Sequence, residues 1–116
     1  MKKYKSKYLE GKQYYSWEYD EHTNFKHRLL ACYLGAWFPI LSSRFDLNYF
    51  DGFAGCGSYF RDDNEYPGSP IIAVNAWKDR GTRGKKLNII AIDQDSDVCD
   101  NLQKVFDENK HSSVEY

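Results

Sequence analysis

The residues best suited to chemistry in this 116-residue chain lie in one short run, Asp51-Gly52-Phe53-Ala54-Gly55-Cys56-Gly57, and in a second acid, Asp93, that ends a later apolar stretch. The pattern asks for a strand ending at Asp51, a turn built on glycines, and a neighbouring strand ending at Asp93. Ligands of open α/β sheets bind outside the carboxyl ends of the strands. Glycines at 55 and 57 would let a ligand approach the backbone and meet exposed amide donors, while a strand-end acid can accept both hydroxyls of a ribose. The same residues also suit a plainer purpose, a tight turn followed by an ordinary polar strand end. An adenosine site and a simple turn are thus the two readings of the run.

Departures from known patterns narrow the first reading. A dinucleotide site uses G-x-G-x-x-G, whose third glycine packs helix on strand; counting from Gly55, that position holds Phe60. A phosphate loop of the G-x-x-x-x-G-K-[ST] kind is absent from the sequence, which removes that route to ATP. S-adenosylmethionine has no pyrophosphate and needs no third glycine. It is the remaining common ligand of an acid, a glycine loop and a second strand-end acid.

The elements that must position these residues follow from periodicity. Phe25, Leu29, Tyr33, Ala36, Trp37, Ile40 and Leu41 recur at three- and four-residue steps behind a capping Thr23, which predicts a core-packing helix over residues 23 to 42, kinked or finished by Pro39. Leu47 to Asp51 then reads as a strand and the polar stretch 58 to 68 as a loop. Ser69 and Pro70 supply the cap and first-turn proline of a second helix that closes at Gly81-Thr82-Arg83-Gly84. Leu87 to Asp93 is a near-continuous apolar run, expected to be a parallel strand covered on both faces. Val98, Leu102, Val105 and Phe106 share one face of a helix from Ser96 to about Lys110, and a further strand could begin at Val114. Residues 1 to 22, with five tyrosines and five lysines, read as an irregular or weakly helical arm.

Strand, helix, strand, helix and incipient strand make an α/β unit with parallel strands. Two or three strands do not complete such a sheet, so residues 23 to 116 are expected to be the N-terminal part of a doubly wound, Rossmann-like domain, with the apolar strand Leu87 to Ile92 left with an uncovered edge.

Composition excludes other classes. Twenty aromatics and 41 % hydrophobic residues are enough for a core, yet no apolar run approaches the ~18 residues of a membrane span. The basic start, Met1 to Tyr8, has no apolar stretch behind it and cannot act as a secretory signal, so a cytoplasmic location away from membranes is expected. Cys32, Cys56 and Cys99 form no C-x-x-C, and His22, His27 and His111 are not at ligand spacing, so no metal is expected and the thiols are expected to be reduced. Net charge is -1 but graded: residues 1 to 92 carry fourteen bases against ten acids, residues 93 to 116 two against seven. The mildly basic, tyrosine-rich front could touch nucleic acid or be an ordinary solvated surface.

The run Asp51 to Gly57 resembles the first motif of class I S-adenosylmethionine-dependent methyltransferases. Three features together look like the three-Cys-motif partner protein (TcmP) family: T-x-x-K-H-x-x-L-x-x-Y-L-x-x-W from Thr23 to Trp37, Tyr-Phe-Asp-Gly-Phe-Ala-Gly from Tyr49 to Gly55, and Gly68-Ser69-Pro70-Ile71-Ile72-Ala73. The resemblance spans about residues 17 to 95; Cys56 departs from it, standing where the family commonly has proline.

Carried over by position, the resemblance implies that Asp51, Phe53, Ala54, Gly55 and Gly57 line the methionine and sugar side of S-adenosylmethionine, that Asp93 holds the ribose, and that Gln94 lies near the adenine. It brings Lys26, His27 and Tyr59 in as possible substrate or cofactor contacts. It implies a methyl acceptor that is RNA or DNA, by analogy with ribosomal RNA adenine methyltransferases that carry a similar Lys-His helix and glycine loop. Its partner would be a three-Cys-motif protein encoded nearby. The acidic-proline catalytic motif of such enzymes is missing, since Pro39, Pro67 and Pro70 all lack a preceding Asp or Asn. Catalytic residues are therefore unknown, and the alternative is a non-catalytic methyltransferase-fold module that binds the three-Cys-motif partner.

Overall fold

A computed structural model describes residues 4–9, 12–61, 64–80 and 84–116. These residues form seven strands and three helices: β1 (Tyr4–Leu9), β2 (Lys12–Glu18), α1 (Glu21–Ser42), β3 (Leu47–Asp51), β4 (Ser58–Arg61), β5 (Asn64–Pro67), α2 (Ser69–Arg80), β6 (Leu87–Ala91), α3 (Ser96–Glu108) and β7 (Val114–Glu115). The fold is mixed α/β. Among the described residues no helix is long and apolar enough to cross a membrane.

The strand that ends at Asp51 and the strand that ends two residues before Asp93 lie side by side in a parallel sheet of order β3-β6-β7, with Leu47 opposite Leu87 and Asp51 opposite Ala91. Alternation decides what each face does. Leu87 and Ile89 point into a core built from Val74 and Trp77 of α2, Leu102, Val105 and Phe106 of α3, and Leu34 and Phe38 of α1. Asn48 and Phe50 are exposed on the other face, as is Ile92 just beyond β6. The expectation of a strand covered on both faces is therefore corrected: the helices pack on one side of the described sheet. The expected open edge of the apolar strand is present in part. Among the described residues β6 lies between β3 and β7, but β7 covers only Leu87 and Asn88, so Ile89 to Ala91 are unpaired on that side, and β3 has an unpaired outer edge of its own.

A second sheet, of order β1-β2-β4-β5, replaces two segments read as irregular. The supposed arm is an antiparallel hairpin in which Leu9 faces Lys12 and Tyr4 faces Trp17. The supposed loop after the glycines is a second hairpin, with Ser58 opposite Pro67 and Arg61 opposite Asn64. Both are rich in tyrosine and flank turn residues, the composition of short strands. The hairpins join where β2 runs parallel to β4, Trp17 beside Tyr59 and Glu18 beside Phe60.

α1 begins two residues before Thr23, because the Asp20 carboxylate accepts the Thr23 N–H at 2.7 Å and so caps the first turn. Pro39 sits inside it without ending it. The face it buries is Leu34, Phe38 and Ser42, and the predicted stripe is turned outward: Phe25, Leu29, Tyr33, Trp37 and Ile40 are all exposed. The helix carries two apolar stripes, and periodicity alone cannot choose between them. The choice falls to shape: Phe38 meets the Trp77 ring edge-on at 5.6 Å. The turn predicted at Gly81 to Arg83 lies outside the described residues.

Candidate functional site

The glycine loop is laced to the end of β6. Ile92 N–H donates to the Asp51 carbonyl at 2.8 Å and Ala54 N–H to the Ile92 carbonyl at 3.1 Å. This brings Asp93 beneath the loop, where one carboxylate oxygen accepts the Gly55 N–H at 3.3 Å and the other the Asp95 N–H at 3.1 Å. Asp51 accepts the Phe53 N–H at 3.2 Å and, closely, the Ser69 hydroxyl, tying the end of β3 to the start of α2. Each Asp93 oxygen keeps a lone pair beyond these bonds, so the acid is held in place and can still accept hydroxyl donors.

Of the residues singled out in the sequence, the structure gathers Asp51, Ala54, Gly55, Gly57 and Asp93 at one edge, with Ala54 and both glycines buried. It also brings His27 and Tyr59 there, their rings edge-on at 5.3 Å. The Phe53 side chain is 95 % exposed, and Lys26 and Gln94 are exposed.

Gly55 and Gly57 both adopt positive φ, 68° and 87°, as their positions in the motif suggest. Their empty Cβ directions differ. At Gly57 a Cβ would stand 2.7 Å from Leu102 Cδ1 and 3.3 Å from Val105 Cβ, so this glycine lets α3 pack on the loop. A valine at 57 consequently lowers stability whether or not a ligand binds, and cannot report on ligand clash. At Gly55 a Cβ would stand 3.1 Å from Trp17 Cζ3 and 3.5 Å from the Tyr59 hydroxyl.

Sequence reading missed the hairpin residues that enclose the loop. Trp17 packs with Cys56, Val98 and Tyr59, and Tyr19 stacks on Tyr66 with centroids 4.5 Å apart while lying 5.7 Å from His27. The signal available was the aromatic density of 14 to 19 next to the glycine at 11, a strand signature. Among the free cysteines, Cys56 is buried and Cys32 exposed.

Burial first, then the neighbouring Cys56, Asp51 and other ionisable groups, push the Tyr59 pKa up to about 12, so its hydroxyl remains a donor. His27 is half-buried, and its Nδ1 is shielded from solvent with no hydrogen-bond partner among the described residues. Desolvation lowers its pKa, with Asp51 opposing. A depressed histidine contributes stability above its unfolded pKa of 6.5 that fades as pH falls through that value, because the unfolded chain takes up the proton first. The gap in melting temperature between wild type and His27→Gln should therefore shrink from about pH 7.5 to about pH 5.5. A gap that widens in acid would show His27 to be cationic in the fold.

Comparison of the chain with protein-family models, with curated proteins and with solved structures found no significant match. The functional reading accordingly rests on these residues and their geometry.

Proposed function

We propose that the chain is the S-adenosylmethionine-binding half of a methyltransferase-like unit, Rossmann-like in plan and related to the three-Cys-motif partner proteins, whose methyl acceptor is nucleic acid. The observation that carries this is the bond from the Gly55 amide to the Asp93 carboxylate across the ends of two adjacent parallel strands. In this reading Asp93 receives the ribose hydroxyls, and Asp51, fixed by Ser69, shapes the loop on the methionine side together with Phe53, Ala54 and Gly55. Gly57 supports the loop from beneath by admitting α3. The bound cofactor supplies an electrophilic methyl group, and the protein's contribution is to orient it toward an acceptor.

Asp93→Ala should weaken binding of S-adenosylhomocysteine by ~1 to 3 kcal/mol, or about 5- to 150-fold, measured by calorimetry. Unchanged affinity would sink the ribose assignment. A second reading draws on how closely the loop satisfies itself, with Ser69 on Asp51, Leu102 against Gly57 and Trp17 against Gly55. It is the non-catalytic module that binds a three-Cys-motif partner. A wild-type melting temperature that ignores millimolar S-adenosylmethionine favours that module, since a ligand of the folded state must raise it.

A further inference from the structure

A ligand that reads the Gly55 backbone has to come within van der Waals distance of it, and the indole of Trp17 already does. Trp17 Cζ3 and Cε3 lie 3.1 and 3.7 Å from the point where a Gly55 Cβ would stand. The ring is 8 % exposed, wedged against Cys56 of the loop and Val98 in the first turn of α3, and edge-on to Tyr59 at 6.1 Å. It therefore covers the ground between the glycine loop and the helix that follows Asp93. The strand that brings it there joins its sheet neighbour β4 by few backbone bonds. Among the described residues, β2 meets β4 through two residue pairs, extended by the Tyr19 N–H to the Phe60 carbonyl at 2.8 Å.

We infer that Trp17 is a removable plug on the Gly55–Asp93 site, so that an adenosine-bearing ligand binds when β2 lifts the indole off the loop. The inference rests on the adenosine reading above and adds an affinity-setting residue to it. The plug lowers apparent affinity by the fraction of molecules in which it is open. An open population of about 1 to 10 % weakens binding about 10- to 100-fold. The plug acts by shape, so phenylalanine serves in its place and alanine does not.

Calorimetry with S-adenosylhomocysteine on wild type, Trp17→Ala and Trp17→Phe tests this. Trp17→Ala should bind about 10-fold more tightly or better, and Trp17→Phe close to wild type. Tryptophan emission of the wild-type chain gives a readout that does not depend on the alanine variant folding. Saturating ligand moves the 8 % exposed Trp17 into water and should shift emission to the red, and Trp17→Phe, which retains Trp37 and Trp77, should lose the shift. Wild-type binding without a red shift, or a folded Trp17→Ala that binds no more tightly than wild type, overturns the plug and leaves the adenosine site standing. Failure of all three proteins to bind overturns both.

Discussion

Gly68→Ala is expected to lower the melting temperature by about 15 °C, corresponding to roughly 3 kcal/mol of overpacking in a domain of this size. A Cβ at Gly68 would stand 2.8 Å from Gly57 Cα and 2.9 Å from its carbonyl carbon. Both are backbone atoms, so no side chain can turn aside. The strand pair would have to part, against the Gly68 N–H bond to the Gly57 carbonyl at 2.8 Å. The Gly68 carbonyl also accepts the Ile71 and Ile72 amides, so displacing it moves the first turn of α2. Gly52→Ala is the control, since nothing lies within 4 Å of its Cβ and its φ is not in the left-handed region. It should melt within a few degrees of wild type, or slightly higher through loss of unfolded-state entropy. A Gly68→Ala protein that melts within about 3 °C of wild type would mean the two hairpin strands are further apart than described.

Trp77→Ala should abolish the cooperative unfolding transition or bring it near room temperature. Trp77 is 0 % exposed, and its indole N–H donates to the Ser113 hydroxyl at 2.9 Å, which in turn lies 2.8 Å from His111 Nδ1. One side chain thus holds α1 through Phe38, its own helix α2, and the residues leading into β7. Removing a buried tryptophan costs ~3 to 5 kcal/mol, a large part of the ~5 to 15 kcal/mol that keeps a domain folded. Trp77→Phe keeps most of the packing and loses the hydrogen bond, about 1 to 2 kcal/mol. Near-ultraviolet dichroism during thermal melts separates the two variants. An alanine variant that melts cooperatively within about 5 °C of wild type would remove Trp77 from the centre of the core.

What the sequence made legible follows from how local its signals are. β3 and β6 were readable because short apolar runs end in acids, and α3 because Val98, Leu102, Val105 and Phe106 share one face. The glycine loop was readable because two of its residues need positive φ. α1 misled because both its stripes are apolar, and only the Phe38 to Trp77 contact selects the inner one. The packing role of Gly57 was not legible for a related reason: a glycine announces that something comes close, and here it is Leu102 of a helix some forty-five residues later. Trp17 could not be placed at all from its neighbours, since its partner strand is specified by Tyr59 and Phe60 rather than by anything nearby in the chain.

That last separation bears on which part of the fold opens most readily. The β1–β2 hairpin closes locally, whereas β2 docks on β4 only across a loop of about forty residues. Long-range closure for two residue pairs returns little per unit of chain entropy lost. The sheet of β3 and β6 spans a comparable separation but has five pairs in register, and so holds more firmly. The covering of the glycine loop is accordingly expected to be the first contact surrendered on unfolding, with Asp93 and Gly55 still joined when it leaves.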